Sequence, residues 1–168
     1  MKTIVLGLLI IGFTTQIHSQ TNNLSIFKNI KYLEKVKNEG SPVIIKKMEN
    51  IAAEYDIQKA DVFNPKRKGT YDVTFEETSG KIVATYNKKG KLIKTIEVYN
   101  NLKLPLQVSK SISKEYPGWI FTGNTHEILY NKGKVKKLYR IQIKNNNSKK
   151  ELKFELKSGA EANYATVN

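Results

Sequence analysis

Apolar and polar residues change period several times along the chain, and each change marks an element. Within residues 25–38, Ile26, Ile30, Leu33 and Val36 recur near helical spacing and Gly40 supplies a stop, which predicts a helix. Ser41 as N-cap and Pro42 in the first turn open a second helix, whose stripe of Ile44, Met48, Ile51 and Tyr55 is expected to face the core. From Ile57 the period becomes two. Tyr71, Val73 and Phe75 alternate with Asp72, Thr74 and Glu76; after a turn at 78–80, Ile82, Ala84 and Tyr86 repeat the alternation. A further turn at 87–90 leads to Leu92, Ile96 and Val98, which are also expected inward. The pattern is that of an antiparallel meander with one buried and one wet face.

Helical spacing returns at Leu104, Val108 and Ile112, between an opening Pro105 and a stop at Pro117-Gly118. The stretch 119–130 then reads as a long, uneven strand. Trp119 and Phe121 share one of its faces, Ile120 and Ile128 the other. A large apolar side chain gains ~1.5–3 kcal/mol on burial, which directs both rings inward, and a bulge at Gly123 would let each pair be buried in part. If Trp119 instead stands on the open face beside Arg140 and Gln142, it becomes an anchor for a protein partner. Beyond a turn at 131–134, Tyr139, Ile141 and Ile143 alternate with Arg140, Gln142 and Lys144. After another turn, Leu152, Phe154 and Leu156 alternate with Glu151, Lys153, Glu155 and Lys157, and residues 162–167 suit a short edge strand.

The halves answer each other in order. Ile51-Ala-Ala-Glu-Tyr55 matches Ile112-Ser-Lys-Glu-Tyr116, Tyr71-x-Val-x-Phe75 matches Tyr139-x-Ile-x-Ile143, and Ile82, Ala84 and Tyr86 match Leu152, Phe154 and Leu156. A duplication accounts for that order. The Leu104-Pro105 opening, the Tyr116-Pro117-Gly118 stop and the Tyr86-Asn-Lys-Lys-Gly90 turn resemble those of PepSY-like proteins exported by Bacteroidetes-type bacteria. The resemblance covers roughly 42–159. It implies tandem helix-plus-sheet repeats related in fold to the beta-lactamase inhibitor protein, and a role in binding other proteins. The first half lacks the Leu-Pro and Tyr-Pro-Gly motifs, carrying Ser41-Pro42 and Tyr55-Asp56 instead.

The N-terminus changes the expected address. Met1 and Lys2 precede an uncharged apolar run from Ile4 to Phe13 and a polar stretch ending at Ser19, the layout of a secretory signal peptide cut before Gln20. The run is shorter than the ~20 residues a membrane-spanning helix needs. The mature chain is therefore expected to be periplasmic or secreted, with an N-terminal helical segment at 20–40, a first repeat at 41–100 and a second at 101–168. Cysteine is absent, which excludes disulfides, thiol catalysis and thiolate metal sites.

Candidate chemistry is sparse. His18 leaves with the signal peptide, and His126 alone has no Gly-x-Ser-x-Gly elbow to serve, so it reads as a sheet residue. Glu76 and Glu77 point to opposite faces of a strand and cannot flank one bond. No calcium loop, phosphate loop or His-Glu-x-x-His occurs, and neither enzymatic activity nor a cofactor is expected. Charge is more informative: 29 Lys and Arg stand against 15 Asp and Glu. The lysines gather at predicted turns, and Lys88, Lys89, Lys134, Lys136 and Lys137 would form a basic rim for acidic polysaccharide or glycolipid if those turns share one end of the sheet. No aromatic RNA-binding motif or DNA-reading helix accompanies them, so sequence-specific nucleic-acid binding is not expected.

The expected fold is α+β: tandem helix-plus-meander repeats, helices on one sheet face and the other face open. The expected function is an exported protein-binding module, with inhibitor or regulator of an envelope peptidase or hydrolase as its specific role, gripping an envelope or secreted protein through Trp119, Arg140, Gln142, Lys144 and Lys153. The alternative is a polyanion binder acting through the basic rim.

Overall fold

Prolines open both of the longer helices. In the computed structural model, which describes residues 28–156 and 164–166, a short α1 (Ile30–Val36) is followed by α2 (Val43–Glu54) with Pro42 at its N-cap, and α3 (Leu106–Glu115) has Pro105 there. Proline suits that position because its fixed φ enters the helix and its missing N–H removes no helical bond. At the other end of α3, the Tyr116 N–H donates to Ile112 O at 2.8 Å, and Gly118 at φ 79° turns the chain out.

Strands β1 (Thr70–Glu77), β2 (Gly80–Asn87) and β3 (Leu92–Asn100) lie between α2 and α3. β4 (Ile120–Asn131), β5 (Lys134–Asn145), β6 (Ser148–Leu156) and β7 (Tyr164–Thr166) follow. All seven form one antiparallel sheet in sequence order, so the fold is α+β. The N-terminal residues expected to form a signal peptide lie outside the described residues, as does Lys157. Among the described residues no helix is long and apolar enough to cross a membrane.

Two apolar clusters hold the helices to the sheet. In the first, Tyr32, Leu33 and Val36 of α1 and Ile45, Met48, Ala52 and Ala53 of α2 pack with Tyr71, Ile82, Ala84, Tyr86, Leu92, Tyr99, Ile128 and Tyr130. Tyr86 also donates its hydroxyl to Ala52 O at 2.8 Å. Gly80 lets Tyr99 lie flat across its neighbour: a Cβ there would stand 2.5 Å from the ring and 2.9 Å from Met48 Sδ. The second cluster joins Val108 and Ile112 of α3 to Tyr139, Ile141, Ile143, Leu152 and Phe154.

Three expected patterns are corrected. On α2 the buried stripe is Ile45, Met48, Glu49, Ala52 and Ala53, while Ile44 and Tyr55 are half-buried and Ile51 is exposed. The small Ala52–Ala53 pair brings the helix close to the sheet and turns Ile51 outward. On β3, Tyr86 stands opposite Leu92 but Thr85 opposite Lys94, which leaves Ile93 as a bulge. The phase inverts beyond it: Leu92, Thr95, Glu97 and Tyr99 are buried, whereas Ile96 is 39% exposed. On β4, Phe121 pairs with Ile143 and Gly123 with Gln142, so Thr122 is the extra residue. That bulge puts Ile120, opposite Lys144, on the other face from buried Ile128.

Candidate functional site

The sheet face that alternates with the buried one carries an apolar strip across four strands. Cross-strand register sets Val83 beside Ile96 and Ile96 beside Leu129, and flanks Glu127 with Val98 and Leu138. Ile96 and Leu129 are 39% and 41% exposed, and the other three are half-buried. Ion pairs border the strip. Arg140 Nε donates to Glu127 Oε1 at 2.8 Å and its Nη1 reaches Glu151 at 3.4 Å, while Lys136 pairs with Glu155 at 3.4 Å. The hydrogen bond and charge of Glu127 hold the Arg140 guanidinium still more firmly protonated. Across β1 and β2, Thr85 donates to Asp72 at 2.6 Å.

The structure brings Arg140, Gln142, Lys144 and Lys153 together on this face: Arg140 stands opposite Lys153, Gln142 opposite Glu151, and Lys144 opposite Lys149. Trp119 is not with them. It packs half-buried against the α3 cluster, edge-on to Tyr116 at 6.0 Å, with Lys150 Nζ over both rings. The α3 cluster offers these rings apolar neighbours that the charged face lacks.

A second feature is a polar group enclosed between helices and sheet. Glu97 is fully buried and accepts three hydrogen bonds, from Tyr32 and Thr95 at 2.8 Å to Oε1 and from Tyr99 at 3.0 Å to Oε2. Burial raises its pKa, and the three hydroxyls oppose that rise. Glu49 of α2 is equally buried, and burial together with the charge of Glu97 pushes it up to about 8, so it keeps its proton at neutral pH. Lys137, 8% exposed, donates to Val36 O and is drawn toward both carboxyls, although burial still lowers its pKa. It therefore lies inside rather than on a basic rim. His126 stacks on Tyr139 at 4.0 Å, and burial first, then the Lys137 charge, lower its pKa to about 3. Its two ring nitrogens have no hydrogen-bond partner among the described residues. This arrangement fixes α1 on the sheet, since Glu97 ties Tyr32 to Thr95 and Tyr99 of β3. Among the described residues no three His, Cys, Asp or Glu side chains are grouped to hold a metal ion.

Third, several lysine-bearing turns do share one end of the sheet. Thr70 opposes Asn87 and Lys94 opposes Asn131, so the approach to β1, the β2–β3 turn and the β4–β5 turn lie side by side. Lys66, Arg67 and Lys68 precede β1, Lys88, Lys89 and Lys91 stand at the second turn, and Lys132 and Lys134 at the third, all exposed. Lys136 belongs instead to the strip's border, paired with Glu155, and Lys149 and Lys150 lie at the opposite end of the sheet.

Sequence reasoning missed the apolar strip and the carboxyl cluster together, for one reason. With Ile96 and Val98 assigned to the core, Glu97 had to be solvated. The spacing Leu92-x-x-Thr95-x-Glu97-x-Tyr99 carries the bulge, but nothing marks it apart from an odd step in the alternation. Comparison with protein-family models, curated proteins and solved structures finds no match to this chain.

Proposed function

We propose that this protein is an exported, non-enzymatic binding module that grips another protein through the open face of its sheet, its helices covering the other face in two tandem repeats. The observation that carries the reading is the apolar strip of Val83, Ile96, Val98, Leu129 and Leu138 on an otherwise charged sheet surface. Specific interfaces have this anatomy, a desolvated apolar centre inside a polar rim. Lys81, Lys94, Lys144 and Lys153 on the same face make no ion pair among the described residues. The partner accordingly presents an apolar patch rimmed by carboxylates, as an envelope peptidase or hydrolase with an acidic cleft would. The PepSY-like motifs 104–105 and 116–118 favour the same class of function.

The repeat reading has its own support. Tyr71 and Phe75 on β1 correspond to Tyr139 and Ile143 on β5, and Ile82 and Ala84 on β2 to Leu152 and Phe154 on β6. The paired strands run in the same direction, and all eight side chains are buried or half-buried. On this reading β4 is the addition without a counterpart in the first half.

The test is a photo-crosslinking residue at position 129, compared with one at Ser113 on the exposed side of α3, in cells secreting the protein. One discrete adduct from 129 alone, lost when Ile96→Asp is added, is expected. Identical adducts from both positions, or an adduct indifferent to Ile96→Asp, would overturn the proposal.

A further inference from the structure

At the basic end of the sheet, two cavities run together between α1 and the adjoining turns. One of about 420 Å³ lies between α1, Asp56 and the β2–β3 turn, and one of about 540 Å³ between α1 and the β4–β5 turn. They share Lys31, Lys91 and Leu92. Each alone falls within the about 300–1,000 Å³ typical of small-ligand sites.

Two kinds of lining meet there. The walls carry lysines: Lys28, Lys31, Lys35, Lys89, Lys91 and Lys132 line one cavity or the other. Against these six stand two carboxylates, Asp56 and Glu34, and Asp56 is already bonded to Lys28. That bond lowers the Asp56 pKa, so the pair stays ionised and leaves the remaining lysines facing one acid. The accessible apolar surface is Ile93 of β3, half-buried, and Ile30, 45% exposed, on the lip, with Leu92 and Tyr130 buried beneath them.

We propose that this groove holds the phosphate-bearing head of an acidic membrane lipid, with the start of its acyl region on this apolar surface. Charge complementarity selects an anion, because an ammonium ring without matching carboxylates is relieved by phosphate oxygens. The apolar surface selects an amphiphile over a plain polyanion. A nucleic acid would need exposed rings on which bases stack, and the groove's tyrosines, Tyr32 and Tyr130, are 1% and 4% exposed. The site is separate from the apolar strip, so the protein can lie on a lipid surface while its strip remains free.

The experiment is co-sedimentation of the purified chain with phosphatidylcholine vesicles, with and without phosphatidylglycerol, and calorimetric titration with a short-chain, monomeric phosphatidic acid. Binding is expected only with the acidic lipid, together with saturable binding of the short-chain lipid. Lys31→Glu, Lys35→Glu and Lys91→Glu together should weaken vesicle binding roughly a hundredfold or more. The same charge change on the α3 side, Lys103→Glu, Lys110→Glu and Lys114→Glu, should cost far less. All six residues are exposed, and circular dichroism checks that both variants fold. Ile30→Ser should weaken short-chain lipid binding while leaving any weak binding of inorganic phosphate unchanged. Equal losses from the two triple variants would overturn the site. Equal competition by inorganic phosphate or heparin, or indifference to Ile30→Ser, would overturn the lipid and leave a general polyanion surface.

Discussion

The first half of the sheet and the second are built to different depths. Among the described residues, α1, α2 and the strands beneath them bury sixteen apolar side chains in one cluster, whereas α3 and its strands bury seven. The larger cluster also borders the enclosed group of Glu49, Glu97 and Lys137, which needs rigid walls around it to keep three tyrosine and threonine hydroxyls aimed at one carboxyl. The smaller cluster has a lighter task and leans on surface contacts: Trp119 and Tyr116 are only half-buried and are covered by the Lys150 ammonium. Depth of core thus follows the amount of polar material it must hold in place.

The largest effect that tests this contrast comes from equivalent truncations. Ile82 and Ile141 are each fully buried, one in each cluster. Ile82→Ala should cost about 4 kcal/mol and Ile141→Ala about 3 kcal/mol in urea unfolding, because the smaller cluster collapses more readily around a cavity. A larger loss at Ile141 would reverse the comparison.

A smaller effect isolates the polar group. Glu49 ordinarily titrates near 4.5 and in the fold near 8, so its contribution is full below about pH 4.5 and is lost as pH rises through 8. His126 works the other way, depressed from 6.5 to about 3: its contribution is full above 6.5 and is lost as pH falls through 3. Lys137, which faces Glu49 and Glu97, is depressed below its ordinary 10.5 and acts in the same sense as His126 on the alkaline side. Between about pH 6.5 and 8 the Glu49 slope therefore dominates over that of His126. Wild-type stability should fall by about 1–2 kcal/mol across that window, and Glu49→Gln should flatten the fall while leaving the acid limb intact. An unchanged slope in Glu49→Gln would assign the proton elsewhere. The smallest effect belongs to the second half: Lys150→Ala should cost about 0.5 kcal/mol, with a shift in Trp119 fluorescence that the same change at exposed Lys66 does not produce.

Much of the architecture is readable from periodicity because most elements obey one rule throughout. Pro105, Val108, Ile112 and Gly118 give α3 its start, face and stop, and Tyr139, Ile141 and Ile143 keep strict alternation along β5. The failures sit where a rule is interrupted. On α2 the core face includes a carboxyl, Glu49, and two alanines, none of which scores as strongly as the exposed Ile51. On β3 one extra residue exchanges the faces, and periodicity cannot see an insertion that hydrogen bonding absorbs; on β4 the uneven pattern does announce a bulge, at Gly123, one residue from its place at Thr122. The basic end was half-legible: the lysine-bearing turns stand out in the chain, but only strand order shows which of them are neighbours, and Lys137 looks like its exposed companions until its strand is placed.

The bulge at Ile93 makes the identity of inside and outside on β3 a matter of counting. Pull that one residue into regular pairing and Leu92 would be followed, at strict alternation, by Ile96 and Val98 facing the helices and Glu97 facing water. The strand would then be an ordinary amphipathic one, with neither an outward apolar strip nor an interior carboxyl. The bulge acts on the sheet as a frameshift acts on a message, exchanging two alphabets at every later position of the strand without altering a letter of either.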